Sequence, residues 1–304
     1  MYDETAMIMM LATLTSTHPG SGTELSFVDL PIQREGHTGF PKIEAATLKG
    51  SIRSKIREKN SKEEALINCL FGLPDKGEFA SAVSLTDSRL LFFPVKSVRG
   101  VFGWITCPLV IQRFITDCKL AGKTIEANQS RELEPNEGVI PRVCKLTVTT
   151  ERGEQVVLED YTFTVKKDDG FTRFLQLIEK EIPGNSLAKG RILDHALIVS
   201  DDDFANFVNH STEVSTRIRI DQDTGTVAGQ ALFSEEYLPP ECIFYNLLFF
   251  TRSHSPQEEE TKEGWNQYDV KRKLKEVLPS DTVVQIGADS SLGKGLIQIK
   301  YEGV

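Results

Sequence analysis

The sequence predicts an α+β fold, a split β-α-β-β-α-β sheet decorated by long insertions. Three observations predict it. Strand-like and helix-like segments interleave along the chain, both ends contribute strands, and long Gly- and Pro-containing or mixed stretches separate the regular elements. The 304 residues include 39% hydrophobic and 26% charged side chains, a composition that can bury a core and is not that of a disordered chain. That length allows one large domain or two smaller ones, and we read residues 1–304 as a single unit.

The first element is a strand over Met7–Thr15, rich in apolar and β-branched residues. A long loop from Ser16 to Pro41 follows, with Pro19, Gly20, Gly22, Pro31, Gly36 and Gly39; loops of this length are usually functional or disordered. Ala45, Leu48, Ile52 and Ile56 then recur at three and four residues and predict a helix with one buried face. Arg89–Val95 and Val101–Thr106 read as strands joined around Lys96–Gly100, and Pro108 opens a helix reaching Leu120. The stretch 122–160 is mixed and resists assignment. Phe171–Glu181 reads as a helix ended by Pro183-Gly184. Thr212–Ile220 and Thr226–Phe233 form a hairpin around a turn made by Asp221 to Gly225. A buried strand over Glu241–Thr251, a polar helix over Asp269–Val277, and strands at Thr282–Ile286 and Leu296–Tyr301 around a glycine loop complete the chain. No repeat at solenoid periods is present.

A net charge of −9 alone argues against a nucleic-acid partner, because phosphate binding wants a basic surface. The average hides an asymmetry. Residues 42–62 carry Lys42, Lys49, Arg53, Lys55, Arg57, Lys59 and Lys62 against only Glu44 and Glu58. Acid collects in the runs Asp201–Asp203 and Glu258–Glu260, which read as solvated loops. No second set of ligands flanks the Asp triplet to make it a metal site. The cysteines at 69, 107, 118, 144 and 242 make no Cys-x-x-Cys pair and read as buried, reduced thiols of a cytoplasmic protein. No apolar run approaches the ~20 residues that span a bilayer. Met7–Leu14 follows Asp3 and Glu4 rather than a basic stretch, so it reads as a strand and not a signal peptide.

Four stretches carry candidate chemistry. Lys49, Arg53 and Arg57 are four apart and line one helix face, separate from Ile52 and Ile56. Thr47 and Lys49 lie near the helix N-terminus, which favours a phosphate, and Gly50 lets a backbone approach. The same pattern also fits a solvated amphipathic surface. The loop Gly287 to Gly295 is phosphate-loop-like in composition, but Lys294 is not followed by Ser or Thr and the next element is a strand, so it is not a Walker motif. It can offer N–H groups to a nucleic-acid backbone or serve as a plain turn. The early loop supplies His18, Glu24, Asp29, Arg34, Glu35 and His37, groups able to deprotonate a ribose 2′-OH and stabilise a phosphorane. A hydrolase triad of Ser16, His18 and Asp29 is discounted, since no nucleophile elbow surrounds the serine. In the hairpin, Arg217 and Arg219 share one strand face, and a basic and apolar hairpin can wedge between stacked bases.

These stretches together resemble the RAMP superfamily. The residues that carry the resemblance are Leu14 to Glu24, Val28 to Glu35, His37 to Pro41, Leu48 to Arg53, Asp87 to Ser97, Gly103-Trp104, Arg217 to Pro239, and the glycine loop. More narrowly, the chain resembles the backbone subunit of the Cmr complex, the type III-B CRISPR RNA-guided effector. The resemblance implies an RRM/ferredoxin-like palm with a β-hairpin thumb at 211–240. Residues 1–120 then supply the first part of the palm, 121–210 the insertions, and 241–304 its last strands. It implies copies stacked in a helical filament along a CRISPR guide RNA with the other Cmr subunits, without a membrane. Single-stranded target RNA would be cut beside each thumb with a divalent metal, Mg or Mn, whose ligands it does not identify. Asp29 is the implied cleavage residue. His18 and Lys49 would flank the guide backbone with Ser51, Arg53, Arg57, Arg217, Arg219, Gly293, Lys294 and Gly295, and His18 also counts as catalytic support. Either Glu235 or Glu236 would lie near the cut. Base pairing would then provide sequence specificity. Two further functions compete with a guided endoribonuclease: a non-catalytic RNA-binding scaffold, and a stand-alone enzyme that processes guide precursors with His18 as its acid or base.

Overall fold

The structure, a computed structural model, describes residues 5–23, 28–59, 64–73, 80–125, 132–220, 227–253 and 264–301. In chain order the strands and helices are β1 (Ala6–Thr13), β2 (Lys42–Ile43), α1 (Ala45–Lys59), α2 (Glu64–Phe71), β3 (Val83–Leu85), β4 (Ser88–Lys96), β5 (Phe102–Thr106), α3 (Pro108–Leu120) and β6 (Glu137–Ile140). They continue with β7 (Thr147–Thr150), β8 (Gly153–Leu158), β9 (Tyr161–Lys167), α4 (Asp169–Glu181), α5 (Ile192–His195), β10 (Ala196–Val199), α6 (Asp201–His210), β11 (Glu213–Ile220), β12 (Val227–Tyr237), β13 (Ile243–Phe250), α7 (Gln267–Val277), β14 (Val283–Gln285) and β15 (Leu296–Tyr301).

The palm is the antiparallel run β15-β1-β13-β4. In chain order these are its fourth, first, third and second strands. Helices α1 and α2 join the first to the second, and α7 joins the third to the fourth. That is the split β-α-β-β-α-β arrangement the sequence predicts. All eight residues of β1 are buried, so the strand is covered on both faces and reads as a continuous apolar run. Ile8 and Met10 face Phe114, Cys118, Leu177 and Ile178 of α3 and α4. Alternation turns Met7, Met9 and Leu11 to the opposite face. On the α3 side, Phe114 meets Tyr245 edge-on at 4.7 Å, and the Tyr245 hydroxyl donates to Asp117 at 2.8 Å. Asp117 also pairs with Arg89 at 2.7 Å, so the buried carboxylate is satisfied.

Strand β4 is shared. Its first half pairs with β13, with a register shift between Leu90 and Phe92, and Phe93–Lys96 pairs with β5. The sheet then continues β5-β10-β6-β9-β8-β7. A bridge between Ser97 and Leu158 brings β8 back to the end of β4, so this half curls on itself. The region 122–160 therefore holds β6, β7 and β8. Strands of four to six residues are too short to show a clear period in the sequence.

Two sequence expectations change. The Asp201–Asp203 run is not a loop: it is the first turn of α6, capped by Ser200, where carboxylates complement the helix dipole. Asp201 and Asp203 also accept from the backbone N–H groups of Leu109 and Asn136, at 3.0 Å each. Nor are all the N–H groups at the N-terminus of α1 free for a phosphate. The Ala45 N–H donates to Asp87 Oδ1 at 2.9 Å, and the Glu44 N–H to Gln33 Oε1 at 2.7 Å. The acidic run at 258–260 lies outside the described residues. The five cysteines are free thiols, four of them buried. Among the described residues no helix is long and apolar enough to cross a membrane.

Leu48, Ile52 and Ile56 form the buried face of α1. Ile52→Ala should lower unfolding free energy by about 3 kcal/mol, the range for emptying a packed aliphatic site. Ser54→Ala, on the exposed side, should leave the urea midpoint in place. Urea titrations of the two variants check both.

Candidate nucleic-acid interface at the base of the hairpin

The loop after β1 is ordered by the hairpin. Thr17 and Leu238 exchange backbone bonds of 3.0 and 2.8 Å. Residues 28–34 then run alongside β12: the Leu30 N–H donates to Ser234 O and the Glu236 N–H to Leu30 O, each at 3.0 Å. Gln33 ties this run to α1, donating through Nε2 to Gly20 O and Thr47 Oγ1 at 3.1 Å each. Glu24 lies outside the described residues.

Side chains on β12 alternate, so Ser234 and Glu236 face this loop while Glu235 and Tyr237 face the other way. On the loop side, Ser234 donates to Asp29 Oδ2 through its N–H at 2.7 Å and its hydroxyl at 2.8 Å. The Asp29 N–H returns a bond to the Ser234 hydroxyl at 3.0 Å. Asp29 is exposed, and Oδ1 has no partner among the described residues. The bonds from Ser234, backbone first and hydroxyl second, hold the Asp29 carboxyl below the usual carboxylate range. Glu236, by contrast, is buried and fully engaged. It accepts from Arg34 at 2.5 Å, from the Thr212 hydroxyl at 2.8 Å and from the Ile32 N–H at 3.0 Å.

On the far side, buried Glu235 accepts from the Tyr237 hydroxyl at 2.7 Å and pairs with Arg217 Nε at 3.0 Å. Arg217 also grips Asp289 of the glycine loop at 2.7 and 3.0 Å, and contacts the Tyr237 hydroxyl. Burial, then the bonds to Glu235 and Asp289, push the Tyr237 phenol above its ordinary value. Lys294 Nζ sits 4.8 Å above the Tyr237 ring, a cation–π contact. The loop reaches this place because of Gly287 and Gly295. Both have positive φ, and a Cβ at either would lie 2.2 Å from a backbone oxygen. The Gly295 N–H donates to Ser16 O at 3.0 Å and the Ala288 N–H to His18 O at 3.1 Å, so the loop's donors near the hairpin bind protein.

His18 is not at the surface. Only 5% exposed, it bonds Glu236 O through Nδ1 at 2.6 Å, and Nε2 lies 3.5 Å from Glu235. Ser16 bonds Glu213, away from the imagined triad. The basic face of α1 is also mostly committed. Arg53 bonds Gly72 O and Asn68 at 2.9 and 2.7 Å, and Arg57 makes a two-point pair with Glu64 at 2.6 and 3.1 Å. Lys49 has no hydrogen-bond or ion-pair partner among the described residues. Burial, then Arg53, push its ammonium below the usual range, the signature of a half-buried cation lacking an anion. Beside it, Gly50 and Ser51 line an open cleft with Ser54, Lys55, Glu58 and Gln285. A Cβ at Gly50 or Gly293 would meet open space. Arg219 lies on β11, with its side chain outside the described residues.

Asp29 and Lys49 are therefore the candidate residues with free chemistry; Glu235, Glu236, Arg53, Arg57 and Arg217 hold protein partners. The sequence reading missed Ser234, 205 residues from Asp29, as well as Tyr237 and Asp289. No short-range signal marks a pairing that depends on the register of β12. Among the described residues no group of three or more His, Cys, Asp or Glu side chains could cage a metal. A single exposed carboxylate still suits Mg-type ions, which keep water and take one or two carboxylates with substrate phosphates.

Comparison with known proteins finds relatives over nearly the whole chain. The chain is 38% identical over 312 residues to the CRISPR system Cmr endoribonuclease Cmr4 of Pyrococcus furiosus, covering 98% of this chain and 96% of that one. The crystal structure of oligomeric Cmr4 from the same organism superposes with a TM-score of 0.71 at 31% identity, covering 98% of each chain. A chain of the type III-B Cmr-beta complex bound to cognate target RNA, solved by cryo-EM, shares the fold: its TM-score is 0.75 at 19% identity, covering 99% of this chain and 98% of that one. The RAMP superfamily model matches residues 10–298, and the chain belongs to that family.

Proposed function

We propose that this chain is a repeated backbone subunit of a type III-B CRISPR effector that binds guide RNA and cleaves complementary target RNA at regular intervals beside Asp29. The observation that carries the reading is exposed Asp29, fixed to the base of a projecting hairpin by two bonds to its carboxylate and one from its backbone N–H. Its relative's name as an endoribonuclease, and the description of another as oligomeric, support it. Lys49, without a hydrogen-bond or ion-pair partner among the described residues, is the natural grip on the guide's phosphates.

The chemistry follows from the environment of each group. Asp29 is ionised at neutral pH and, with its basicity reduced by Ser234, is a weak proton acceptor. It is suited to orienting the attacking hydroxyl and to holding a cation. Bound there, Mg or Mn would neutralise charge on the scissile phosphate, with Asp29 as its protein ligand. Beyond Ser234 the hairpin presents Ile218 and Leu232, directly paired and 52% and 63% exposed. Cross-strand partners share a face, so this apolar pair projects on the Asp29 side of the hairpin. It can displace a target base there, an unstacking that costs a few kcal/mol.

Asp29→Asn in the assembled complex should abolish cleavage of labelled complementary RNA while guide and target binding survive. Regularly spaced products at the normal rate from that variant would overturn the assignment. Ser234→Ala removes one of the bonds that depress the Asp29 pKa and keeps the larger one from the Ser234 backbone, so the carboxyl moves only partway toward its ordinary 3.8 and stays ionised at pH 7. The pH–rate profile between pH 5 and 8 should keep its shape in this variant while its height falls. A new inflection in that window could not come from a carboxyl at or below 3.8 and would overturn this account of the Ser234 bonds. Lys49→Ala should reduce the salt slope of RNA binding by about one counterion. Arg53→Ala should leave that slope unchanged and lower thermal stability instead.

A further inference from the structure

We propose that Asp289 is a positioning residue for target cleavage: from the glycine loop it sets the angle of the hairpin on the palm, and so the place where Asp29 presents its carboxylate. This rests on the cleavage reading above and adds a residue to it.

Strands β11 and β12 form a two-stranded sheet of their own, separate from the large sheet. An isolated hairpin is marginal by itself, so its direction is decided at its base. Three of its several attachments there bracket it from both sides. One is the backbone exchange of Thr17 with Leu238, and a second is Glu236 with Arg34 and Thr212. Both tie the hairpin to the chain before or beside it. The third is Asp289, which reaches from the opposite side and touches both strands at once, Arg217 on β11 and Tyr237 on β12.

The platform under Asp289 is rigid. Its backbone is left-handed, φ 61°, a conformation Asp tolerates better than most residues. The flanking loop is pinned by bonds to His18 O and Ser16 O, at places where a Cβ on Gly287 or Gly295 could not fit. A carboxylate held so firmly transmits position. Asp289 Oδ2 lies 2.8 Å from the Tyr237 hydroxyl, which shares its one proton between Asp289 and Glu235, and Tyr237 and Glu235 sit on the face of β12 opposite Ser234 and Asp29. Asp289 is thus across the strand from the reacting carboxylate and acts through β12. Loss of its charge leaves Arg217 paired with Glu235 alone, so the hairpin survives with its base released on one side. A shift of about 1 Å at a reacting group can slow a reaction on the order of 100-fold.

The test uses the assembled, guide-loaded complex with Asp289→Asn and Asp289→Ala, and Asp29→Asn as reference. Asn keeps the volume and tolerates the left-handed backbone, so it serves if the Ala variant fails to fold. Target affinity, the single-turnover rate at saturating target, and the positions of the product ends are measured. The expected result is assembly and affinity within about twofold of the parent, a rate lower by about tenfold or more, and product ends that spread over neighbouring nucleotides. Parental rate and sharp ends in the Asp289 variants, with Asp29→Asn inactive, would overturn the role of Asp289 and leave the cleavage reading intact. A rate that falls only in proportion to affinity or assembly would also overturn it, making the residue structural. Normal cleavage by Asp29→Asn would remove the cleavage reading and this proposal with it.

Discussion

Strand β12 carries Ser234, Glu235, Glu236 and Tyr237 in succession, and strand alternation sends their chemistry to two surfaces. Ser234 and Glu236 organise the loop that bears Asp29; Glu235 and Tyr237 meet the glycine loop from the other end of the chain. A register slip of one residue would exchange these roles completely. The site is therefore assembled by three segments far apart in sequence, and the pairing of β12 with its neighbours decides whether it exists. This also explains why two adjacent buried glutamates are tolerated. Burial of a carboxylate is costly unless it is bonded and paired, and each has its own arginine, Arg217 for Glu235 and Arg34 for Glu236.

The acidic balance of the chain and its fit to an RNA partner are reconciled at the level of individual pairs. Many cations are spent inside the molecule: Arg113 on Glu35, Arg89 on Asp117, Arg57 on Glu64, Arg142 on Asp169. A cation already holding a carboxylate adds little to a phosphate site, because binding would have to break that pair. The exposed examples also contribute little to stability. Lys49 differs because it bears a burial penalty without a counter-anion. Under the proposed function a phosphate arriving there would relieve that cost, so Lys49 would contribute more to the face than Arg53 or Arg57.

The palm was legible in the sequence because its elements are long and periodic. The eight-residue strand β1, the Leu48-Ile52-Ile56 stripe and the hairpin of β11 and β12 each carry a signal several residues deep. The insertions were not legible: β6, β7 and β8 hold four to six residues apiece and depend on neighbours for their conformation. The Asp201–Asp203 run misled for a related reason. A charge run looks the same in a solvated loop and in the first turn of a helix, and the distinguishing signal is Ser200 as the cap. Lys49, Arg53 and Arg57 looked equivalent by spacing, yet α2 claims two of the three, a tertiary fact that helical periodicity does not contain.

The placement of His18 bears on what kind of chemistry the chain can perform alone. A histidine that acts as acid or base on RNA must exchange protons with solvent or substrate, and needs a ring nitrogen directed at the reacting group. Here the Nδ1 proton is committed to Glu236 O, and Nε2 faces the Glu235 carboxylate in a site only 5% exposed. The carbonyl of the same residue receives the Ala288 N–H of the glycine loop. His18 thus joins the early loop, β12 and the glycine loop at one point. Metal-independent processing of guide precursors by this histidine would require the hairpin base to open and Glu236 to lose its backbone bond. The proposed cleavage through Asp29 would require neither, since its carboxylate already stands in solvent with the hairpin in place.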